Sequence, residues 1–241
     1  MNQTVHLTFA GQAGFIIENE QGYRVGIDLY LSDCCDRYCG LKRLMPFIFE
    51  PGKMNLDLLV ATHAHYDHFD PDSVPLIMTE KKTHLVAALD VKEEAERLQL
   101  ENDRITYLTD GQIFENENIS IKAMPCDHGE DTPHAIGLLI KIGAKRIYIA
   151  GDTCYREDYF KNSELQNLDL MIMPINGAFG NLNEKEGADA AGIIQPKLCI
   201  PCHFWNFAEH FGNPHLFMRA MDENYLEVKY YLMRMGETIK L

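Results

Sequence analysis

The stretch that decides the fold is Thr62-His63-Ala64-His65-Tyr66-Asp67-His68, which directly follows the apolar run Leu58 to Ala61. It places four potential metal ligands within a few residues of a predicted strand. Because side chains alternate in direction along an extended chain, His63 and His65 are expected to point the same way. We therefore expect these two histidines to share one ion.

The residues after this motif predict a turn into a helix. In Asp70-Pro71-Asp72-Ser73, Asp70 is a side chain that caps helix N-termini, and Pro71 is of a type favoured at the first helical position. Such a turn would leave Asp67 and His68 free to face a second ion. The alternative is a polar loop with chance histidines, and three histidines and an aspartate at this spacing argue against it.

Three further segments each offer a single ligand. They are Pro125-Cys126-Asp127-His128-Gly129, Gly151-Asp152-Thr153 and Pro201-Cys202-His203-Phe204-Trp205. Each follows a predicted strand, and strand ends are where rigid scaffolds present functional groups on loops. Taken alone, each has a structural explanation, because a lone histidine is usually hydrogen-bonded and Gly-Asp-Thr is usually a turn. Only together with the first motif do they predict a metal pocket.

Together these segments resemble the metallo-β-lactamase superfamily. Its ordered pattern is an early Asp, His-x-His-x-Asp-His, a lone His, a lone Asp and a final His, and all five elements occur in order between Asp28 and His203. The resemblance implies an α/β fold with four layers, the αββα sandwich. It also implies two divalent metal ions, which we expect to be zinc or manganese, with iron as an alternative.

The same resemblance implies a role for each residue of the pattern. The implied ligands are His63, His65 and His128 for one metal, Asp67, His68 and His203 for the other, and Asp152 as the bridge between them. Asp28 ends the predicted strand Tyr23 to Ile27. We expect it to be a buried carboxylate that accepts a hydrogen bond from a ligand histidine and fixes its orientation.

A narrower resemblance is to the sugar-phosphate lactonase branch, typified by L-ascorbate-6-phosphate lactonase, and to its compact relatives. It rests on Arg43-Leu44-Met45-Pro46, Pro174-Ile175-Asn176-Gly177, Asn181 to Ala188 and Ile200 to Trp205. The chain is shorter than the full-length lactonases, chiefly ahead of the histidine cluster.

Three residues are expected to bind the substrate. The guanidinium of Arg43 can grip a phosphate with two parallel hydrogen bonds, and the alternative is a surface arginine beside Lys42. His134 and Asn176 complete the set. His210 has no counterpart in the superfamily pattern; we interpret it as a surface or core histidine that could approach the pocket rim.

The expected reaction is hydrolysis of a small phosphorylated lactone or ester by a hydroxide that bridges the two metals. Asp152 would position both metals, and Asp67 would steer or shuttle the proton. A metal-dependent phosphodiesterase is one alternative, because the same hydroxide can attack phosphorus. The other is a non-catalytic regulator that binds a metal or a ligand in the same pocket, and the complete ligand set argues against it.

Composition favours one globular domain over residues 1–241. Hydrophobic residues make up 46% and charged residues 24% of the chain, which permits a sizeable core. The net charge of -14 argues against nucleic acid and anionic membranes as partners, so a small-molecule substrate is expected. The start of the chain lacks a secretory signal pattern, no apolar run reaches about 18 residues, and seven cysteines show no disulfide framework. These features predict a cytoplasmic protein, and a homo-oligomer is compatible with them.

Hydrophobic periodicity predicts the secondary structure. The predicted strands are Val5 to Phe9, Gly14 to Ile17, Tyr23 to Ile27, Leu58 to Ala61, Ile119 to Met124, Ile136 to Ile142, Arg146 to Ala150, Leu170 to Pro174 and Leu198 to Pro201. The predicted helices are Asp90 to Leu100, Tyr155 to Leu165, Glu184 to Ile194 and Pro214 to Asn224. The pattern fits two packed sheets with outer helices and also a doubly wound parallel sheet, so the ligand pattern has to decide between them.

Overall fold

Two mixed β-sheets pack face to face in the computed structural model, which describes residues 4–241. The first sheet has seven strands in the order β13-β1-β2-β3-β4-β5-β6, and the second has six in the order β12-β11-β10-β9-β8-β7. The strands are β1 Val5–Gly11, β2 Gly14–Asn19, β3 Arg24–Ile27, β4 Leu58–Ala61, β5 His84–Ala88, β6 Ile105–Leu108, β7 Ile113–Glu115, β8 Ile119–Met124, β9 Gly137–Ile142, β10 Lys145–Ile149, β11 Leu170–Pro174, β12 Cys199–Cys202 and β13 Thr238–Lys240.

Within residues 4–241, six α-helices and four short 3-10 helices connect the strands. The α-helices are α1 Cys34–Cys39, α2 Ser73–Ile77, α3 Lys92–Arg97, α4 Glu157–Phe160, α5 Glu184–Ile194 and α6 Pro214–Asn224. The 3-10 helices are Pro51–Lys53, Leu89–Val91, Asn102–Arg104 and Ser163–Leu165. No helix among residues 4–241 is long and apolar enough to cross a membrane.

The four layers follow from the alternation of side chains along buried strands. In β4, Val60 belongs to the core between the sheets, whereas Leu59 packs with Val74 of α2 and Ala95 of α3 on the outer face. The second sheet is covered in the same way, since Met171 of β11 packs outward with residues of α5 and α6. The αββα sandwich expected from the sequence is therefore confirmed, and the doubly wound sheet is excluded.

Parallel pairing brings strand ends to a common edge. In the first sheet β3, β4, β5 and β6 run parallel, and in the second β10, β11 and β12 run parallel. The loops that leave the carboxyl ends of neighbouring parallel strands meet, which is where open α/β sheets place their sites. The predicted ligand segments after β3, β4, β10 and β12 all start from such ends.

The helices α5 and α6 have the bounds that the sequence predicts, because both have strong start signals. Asn183 and Glu186 form a capping box at the start of α5, with each side chain accepting from the other residue's amide. Pro214 is the first residue of α6, and the side chain of Asn213 accepts from the His215 amide.

Two other helix predictions were too long. In the range Asp90 to Leu100 the α-helix α3 has only six residues, follows the 3-10 helix Leu89–Val91 and ends before Gln99 adopts a left-handed φ of 55°. The range Tyr155 to Leu165 contains only α4, because the Asn162 side chain accepts from the Glu164 amide and starts a separate 3-10 turn.

The helix predicted after the histidine motif begins two residues later than expected. Its first residue is Ser73 and not Pro71. Asp70 nevertheless acts near this helix start, since its Oδ1 accepts from the amides of Asp72 and Ser73 at 3.0 and 3.2 Å. The proline therefore lies in the turn ahead of the helix.

Candidate metal centre

The site forms where two adjacent parallel strands end. β3 is followed by Asp28, and β4 is followed by Thr62 and the histidine motif. Ile27 is paired with Val60, and the Asp28 amide donates to the Val60 carbonyl at 2.9 Å. Asp28 then adopts a left-handed φ of 46°, which ends the strand. Its carboxylate consequently reaches the loop that carries the histidines.

The buried carboxylate of Asp28 orients the start of that loop. It accepts hydrogen bonds from the Thr62 amide at 2.8 Å, from the Thr62 hydroxyl at 2.7 Å and from Nδ1 of His68 at 2.9 Å. The Thr62 hydroxyl oxygen also lies 3.1 Å from Nδ1 of His63. When Nδ1 carries the proton in each imidazole, Nε2 keeps a free lone pair. One carboxylate thus orients two histidines, His68 directly and His63 through Thr62.

Three histidine nitrogens converge in the first half of the site. Nδ1 of His65 lies 3.1 Å from Nε2 of His63 and 3.0 Å from Nε2 of His128. His128 comes from the loop after β8, more than sixty positions further along the chain. Nitrogens that hold a tetrahedral zinc ion at about 2.1 Å are about 3.4 Å apart. The three nitrogens therefore have nearly the spacing of a metal-binding triangle.

A carboxylate oxygen and two histidine nitrogens form the second half. The Nε2 atoms of His68 and His203 are 3.1 Å apart. Oδ2 of Asp67 lies 3.2 Å from the His203 nitrogen and 3.7 Å from the His68 nitrogen. His203 follows β12 with a left-handed φ of 62°, and its amide donates to the Gln12 carbonyl at 2.9 Å.

Asp152 lies between the two halves. Its Oδ1 is 3.3 Å from Nε2 of His68, whereas its Oδ2 is 3.1 Å from Nε2 of His203 and 3.8 Å from Nε2 of His128. Oδ2 also accepts a hydrogen bond from the side-chain amide of Asn181 at 2.7 Å. One carboxylate therefore contacts ligand atoms of both halves.

Burial keeps the histidines of the first half neutral. It lowers the pKa of His65, lowers the pKa of His63 well below its ordinary value and lowers the pKa of His128 to about 4. A neutral imidazole has the lone pair that a metal ligand needs. The first half is thus ready to accept a cation without losing protons.

In the second half the histidines favour the protonated form and the carboxylates the ionised form. Burial alone would lower the pKa of both histidines, but Asp152 and Asp67 hold the pKa of His68 well above its ordinary value and raise that of His203 to about 9. Burial would likewise raise the pKa of Asp152 and Asp67, and the two histidines instead hold both values well below the ordinary range. A bound cation can take the place of these protons.

The residues present fit a pair of divalent cations. Oδ1 of Asp152 is buried and has no hydrogen-bond partner within residues 4–241, although it points at Nε2 of His68. Nδ1 of His65 lies at hydrogen-bond distance from imidazole nitrogens of His63 and His128, and Nε2 of His203 lies at that distance from Nε2 of His68. Imidazole nitrogens that converge in this way are arranged as metal ligands are. Imidazole and carboxylate donors suit zinc, manganese or iron.

Comparison with known proteins agrees with this geometry. The family model described as "Beta-lactamase superfamily domain" matches residues 6–203, which include every one of these ligand residues. The chain belongs to the metallo-β-lactamase superfamily.

Relatives within this superfamily cover nearly the whole chain. A UPF0173 metal-dependent hydrolase of Hyperthermus butylicus is 28% identical over 96% of this chain and 97% of its own length. Another of Methanopyrus kandleri is 27% identical over 97% and 99%. The structure of a metallo hydrolase from Ignicoccus hospitalis superimposes with a TM-score of 0.79 at 23% identity, over 99% of this chain and 98% of that one.

Gln12 was not predicted to belong to this metallo-β-lactamase site, whereas His210 was expected to be able to approach the pocket rim, and it lines the cavity. Nε2 of Gln12 lies 2.7 Å from Oδ2 of Asp67, 3.1 Å from Nε2 of His203 and 3.4 Å from Nδ1 of His210. The His210 ring stacks on His203 with centroids 4.7 Å apart, and burial lowers the pKa of His210 to about 4. Gln12 lies in the tight turn between β1 and β2, where the sequence carries no ligand motif.

Asn181 is a second residue that sequence reasoning missed as a site residue. It falls inside a segment that resembles the lactonase branch, but nothing in its spacing relates it to Asp152. The contact arises because the loop after β11 folds back, with the Leu182 amide donating to the Thr153 carbonyl at 3.0 Å.

The structure does not bring the three predicted substrate-binding residues into the cavity. The Arg43 guanidinium is enclosed: it donates to the carbonyls of Ser32 and Tyr30 at 3.1 and 2.7 Å and lies over the Tyr30 ring at 3.7 Å. His134 is exposed, and its amide donates to Asp90. Asn176 is fully buried, and its side-chain amide donates to the Ala178 carbonyl at 3.3 Å.

A cavity of about 370 Å³ opens directly above the ligand atoms. Five of the ligand residues line it, and the other lining residues are Cys35, Cys39, Leu41, Tyr66, Gly129, Glu130, Asp131, Phe179 and His210. Larger surface cavities of about 510 and 600 Å³ lie elsewhere and contain none of the ligand residues. The cavity above the ligands is therefore the candidate substrate site of this metallo-β-lactamase fold.

Proposed function

We propose that the protein is a metal-dependent hydrolase that cleaves a small ester or lactone. The observation that carries the proposal is the convergence of seven ligand side chains from separate loops, with the Asp152 carboxylate contacting both halves of the set. Two divalent ions bound there would polarise the scissile carbonyl and make water nucleophilic near neutral pH. The UPF0173 relatives, which are named metal-dependent hydrolases, support the same class of reaction.

The histidines and Asp152 position the reacting groups. Asp28 fixes the Nδ1–H tautomer of His68, so that Nε2 points at the site. Asn181 holds Oδ2 of Asp152 through a hydrogen bond of 2.7 Å. Rigid positioning of this kind lowers the entropic cost of bringing water and substrate together.

Asp67 is the residue best placed to handle the proton. Its side chain is 14% exposed and faces the cavity, whereas that of Asp152 is only 6% exposed. Oδ2 of Asp67 also accepts from Gln12, which keeps the carboxylate oriented. We assign Asp67 the role of taking the proton from the attacking water and passing it towards the leaving oxygen.

Ester and lactone hydrolysis needs no residue beyond those described. Water adds to the acyl carbon, the acyl C–O bond breaks, and the leaving oxygen takes up one proton of the water. The carboxylic acid then ionises at neutral pH and releases the other proton. Asp67 and Asp152 are thus the two carboxylates that the reaction uses.

A substrate screen tests the proposal. Metal-stripped protein would be reconstituted with zinc or with manganese and assayed against lactones, carboxylic esters, thioesters and phosphodiesters. We expect turnover of esters or lactones only in the reconstituted protein, a loss of at least about 100-fold in Asp152→Asn, and wild-type rates in the surface variant Asp103→Asn. Metal-dependent turnover of phosphodiesters alone would select the phosphodiesterase, and metal uptake without any turnover would select the non-catalytic regulator.

A further inference from the structure

The cavity above the ligands carries negative but no fixed positive side chains. Glu130 and Asp131 line it in addition to the site carboxylates, and no lysine or arginine lines it within residues 4–241. A substrate phosphate needs cationic or N–H-rich partners beyond the metals. The described lining residues include no lysine or arginine to supply a cation, so the charge of the substrate can be inferred once the proposed hydrolase function is granted.

Arg43 and Arg156 make their contacts outside the cavity lining. The guanidinium of Arg43 is held by two main-chain carbonyls and its side chain is only 3% exposed. Arg156 forms ion pairs with Asp127 and Asp158 at 2.8 and 3.3 Å. Neither side chain lines the cavity.

The carboxylates around the ligand set offset the charge that two divalent ions would bring. Asp28, Asp67 and Asp152 lie within the ligand set or hydrogen-bond to it. With Glu130 and Asp131 at the cavity wall, there are five negative charges against four positive ones. The cavity of the loaded protein would therefore not attract a second anionic group of a substrate.

Apolar groups form another part of the same wall. Leu41, Tyr66 and Phe179 line the cavity, together with the thiols of Cys35 and Cys39. The Phe179 side chain is 62% exposed, and its ring lies 5.5 Å from the His210 ring. An exposed aromatic ring at a cavity mouth gains free energy when a ligand covers it.

From these contacts we propose that the cavity selects an ester or lactone whose remote part is apolar and carries no negative charge. Phosphate or carboxylate on that part weakens binding through Glu130 and Asp131. Phe179 and Leu41 contact the apolar chain. With a volume of about 370 Å³, the cavity lies near the lower end of small-molecule sites, so the substrate is small.

Three phenyl esters that share one leaving group test the proposal on the metal-loaded protein. They are phenyl butyrate, which is uncharged, the monophenyl ester of glutaric acid, which is anionic, and phenyl 4-(trimethylammonio)butyrate, which is cationic. We expect kcat/KM for the anionic ester to be at least about tenfold below that of phenyl butyrate, because like charges repel in a partly desolvated cavity. The cationic ester should be cleaved at least as well as the uncharged one.

Two variants connect the selectivity with the named residues. The double variant Glu130→Gln, Asp131→Asn should raise the ratio of kcat/KM for the anionic ester to kcat/KM for phenyl butyrate by about fivefold. Glu117→Gln, an exposed acid away from the cavity, should not change this ratio. Phe179→Ala should lower kcat/KM for phenyl octanoate by about fivefold and that for phenyl acetate by less than twofold.

The outcomes separate this inference from the proposed function. Equal or faster turnover of the anionic ester would overturn the inference while leaving a metal-dependent hydrolase in place. A preference for uncharged esters that survives in the double variant would overturn the role of Glu130 and Asp131. Absence of metal-dependent turnover of every ester and lactone would contradict the proposed function itself.

Discussion

The Asp28→Asn variant tests whether the buried carboxylate of Asp28 orients His68 for metal binding. Asp28 is 1% exposed and accepts from Nδ1 of His68 at 2.9 Å. An asparagine keeps the oxygen that accepts from the Thr62 amide, but its NH2 group would face Nδ1 of His68 and donate to it. That contact favours the His68 tautomer with its proton on Nε2, which is the atom directed at the site. The variant should therefore block the nitrogen that binds the second ion.

The size of the effect follows from the contacts that change. A hydrogen bond to a charged group contributes about 1.5 to 3 kcal/mol, and each 1.4 kcal/mol is a tenfold change in affinity. We expect Asp28→Asn to weaken metal binding by about 10- to 100-fold, the range found when partners of metal-ligating histidines are removed. Part of the loss extends to the first half, since Thr62 links Asp28 to His63.

The assay is a competition titration with a chelator of known affinity, with zinc and the metal-stripped protein. Asp70→Asn is a matched control, because Asp70 is fully buried and accepts five hydrogen bonds but contacts no ligand side chain. That variant should lower the thermal midpoint and leave metal affinity within about threefold. Wild-type affinity in Asp28→Asn would refute the orienting role, as would an equal loss in both variants.

Three further changes have defined outcomes. Because the pKa of His203 is raised to about 9, its proton must leave when a metal binds. Zinc affinity, measured by chelator competition, should therefore rise from pH 6.5 to 9 and level off above pH 9. A flat pH profile would contradict the assignment of His203 as a metal ligand. Gln12→Leu removes the donor to Asp67 and should weaken metal binding by about tenfold, while the exposed Gln21→Leu should not. Arg43→Ala should lower the free energy of unfolding by about 2 to 4 kcal/mol in urea titrations, with Lys42→Ala as a neutral control. If Arg43→Ala instead lost turnover of a phosphorylated lactone but kept that of the unphosphorylated analogue, Arg43 would be a substrate-binding residue.

The convergence of the predicted ligand residues could be expected because their spacing is local or follows strands. His63 and His65 are two residues apart just after β4, and His128 and Asp152 follow the ends of β8 and β10 within a few residues. Two other apolar runs predicted strands with the bounds that the structure shows, Leu58–Ala61 and Leu170–Pro174. The structure brings together the residues for which the strand pattern and the metal-ligand chemistry indicated the same positions.

Contacts that depend on how distant loops fold were beyond the sequence. Gln12 and Asn181 reach the site through a turn and a returning loop, and neither residue type marks a site. Arg43 was expected to bind the substrate, but main-chain carbonyls enclose its guanidinium. A charged side chain next to a lysine gives no sign of such contacts in the sequence. Four strands, β5, β6, β7 and β13, were not predicted. Of these, β7 and β13 are three-residue edge strands with mostly exposed side chains.

Anomalous diffraction from crystals of the metal-loaded protein tests the central claim most directly. Data collected on both sides of the zinc or manganese absorption edge locate each ion independently of the chain. We predict two anomalous peaks about 3.5 to 4 Å apart, as in other two-metal sites. One should contact His63, His65 and His128, the other Asp67, His68 and His203, with Asp152 touching both. A single peak, or ions bound away from Asp152, would contradict the two-metal centre and the hydrolase proposed from it.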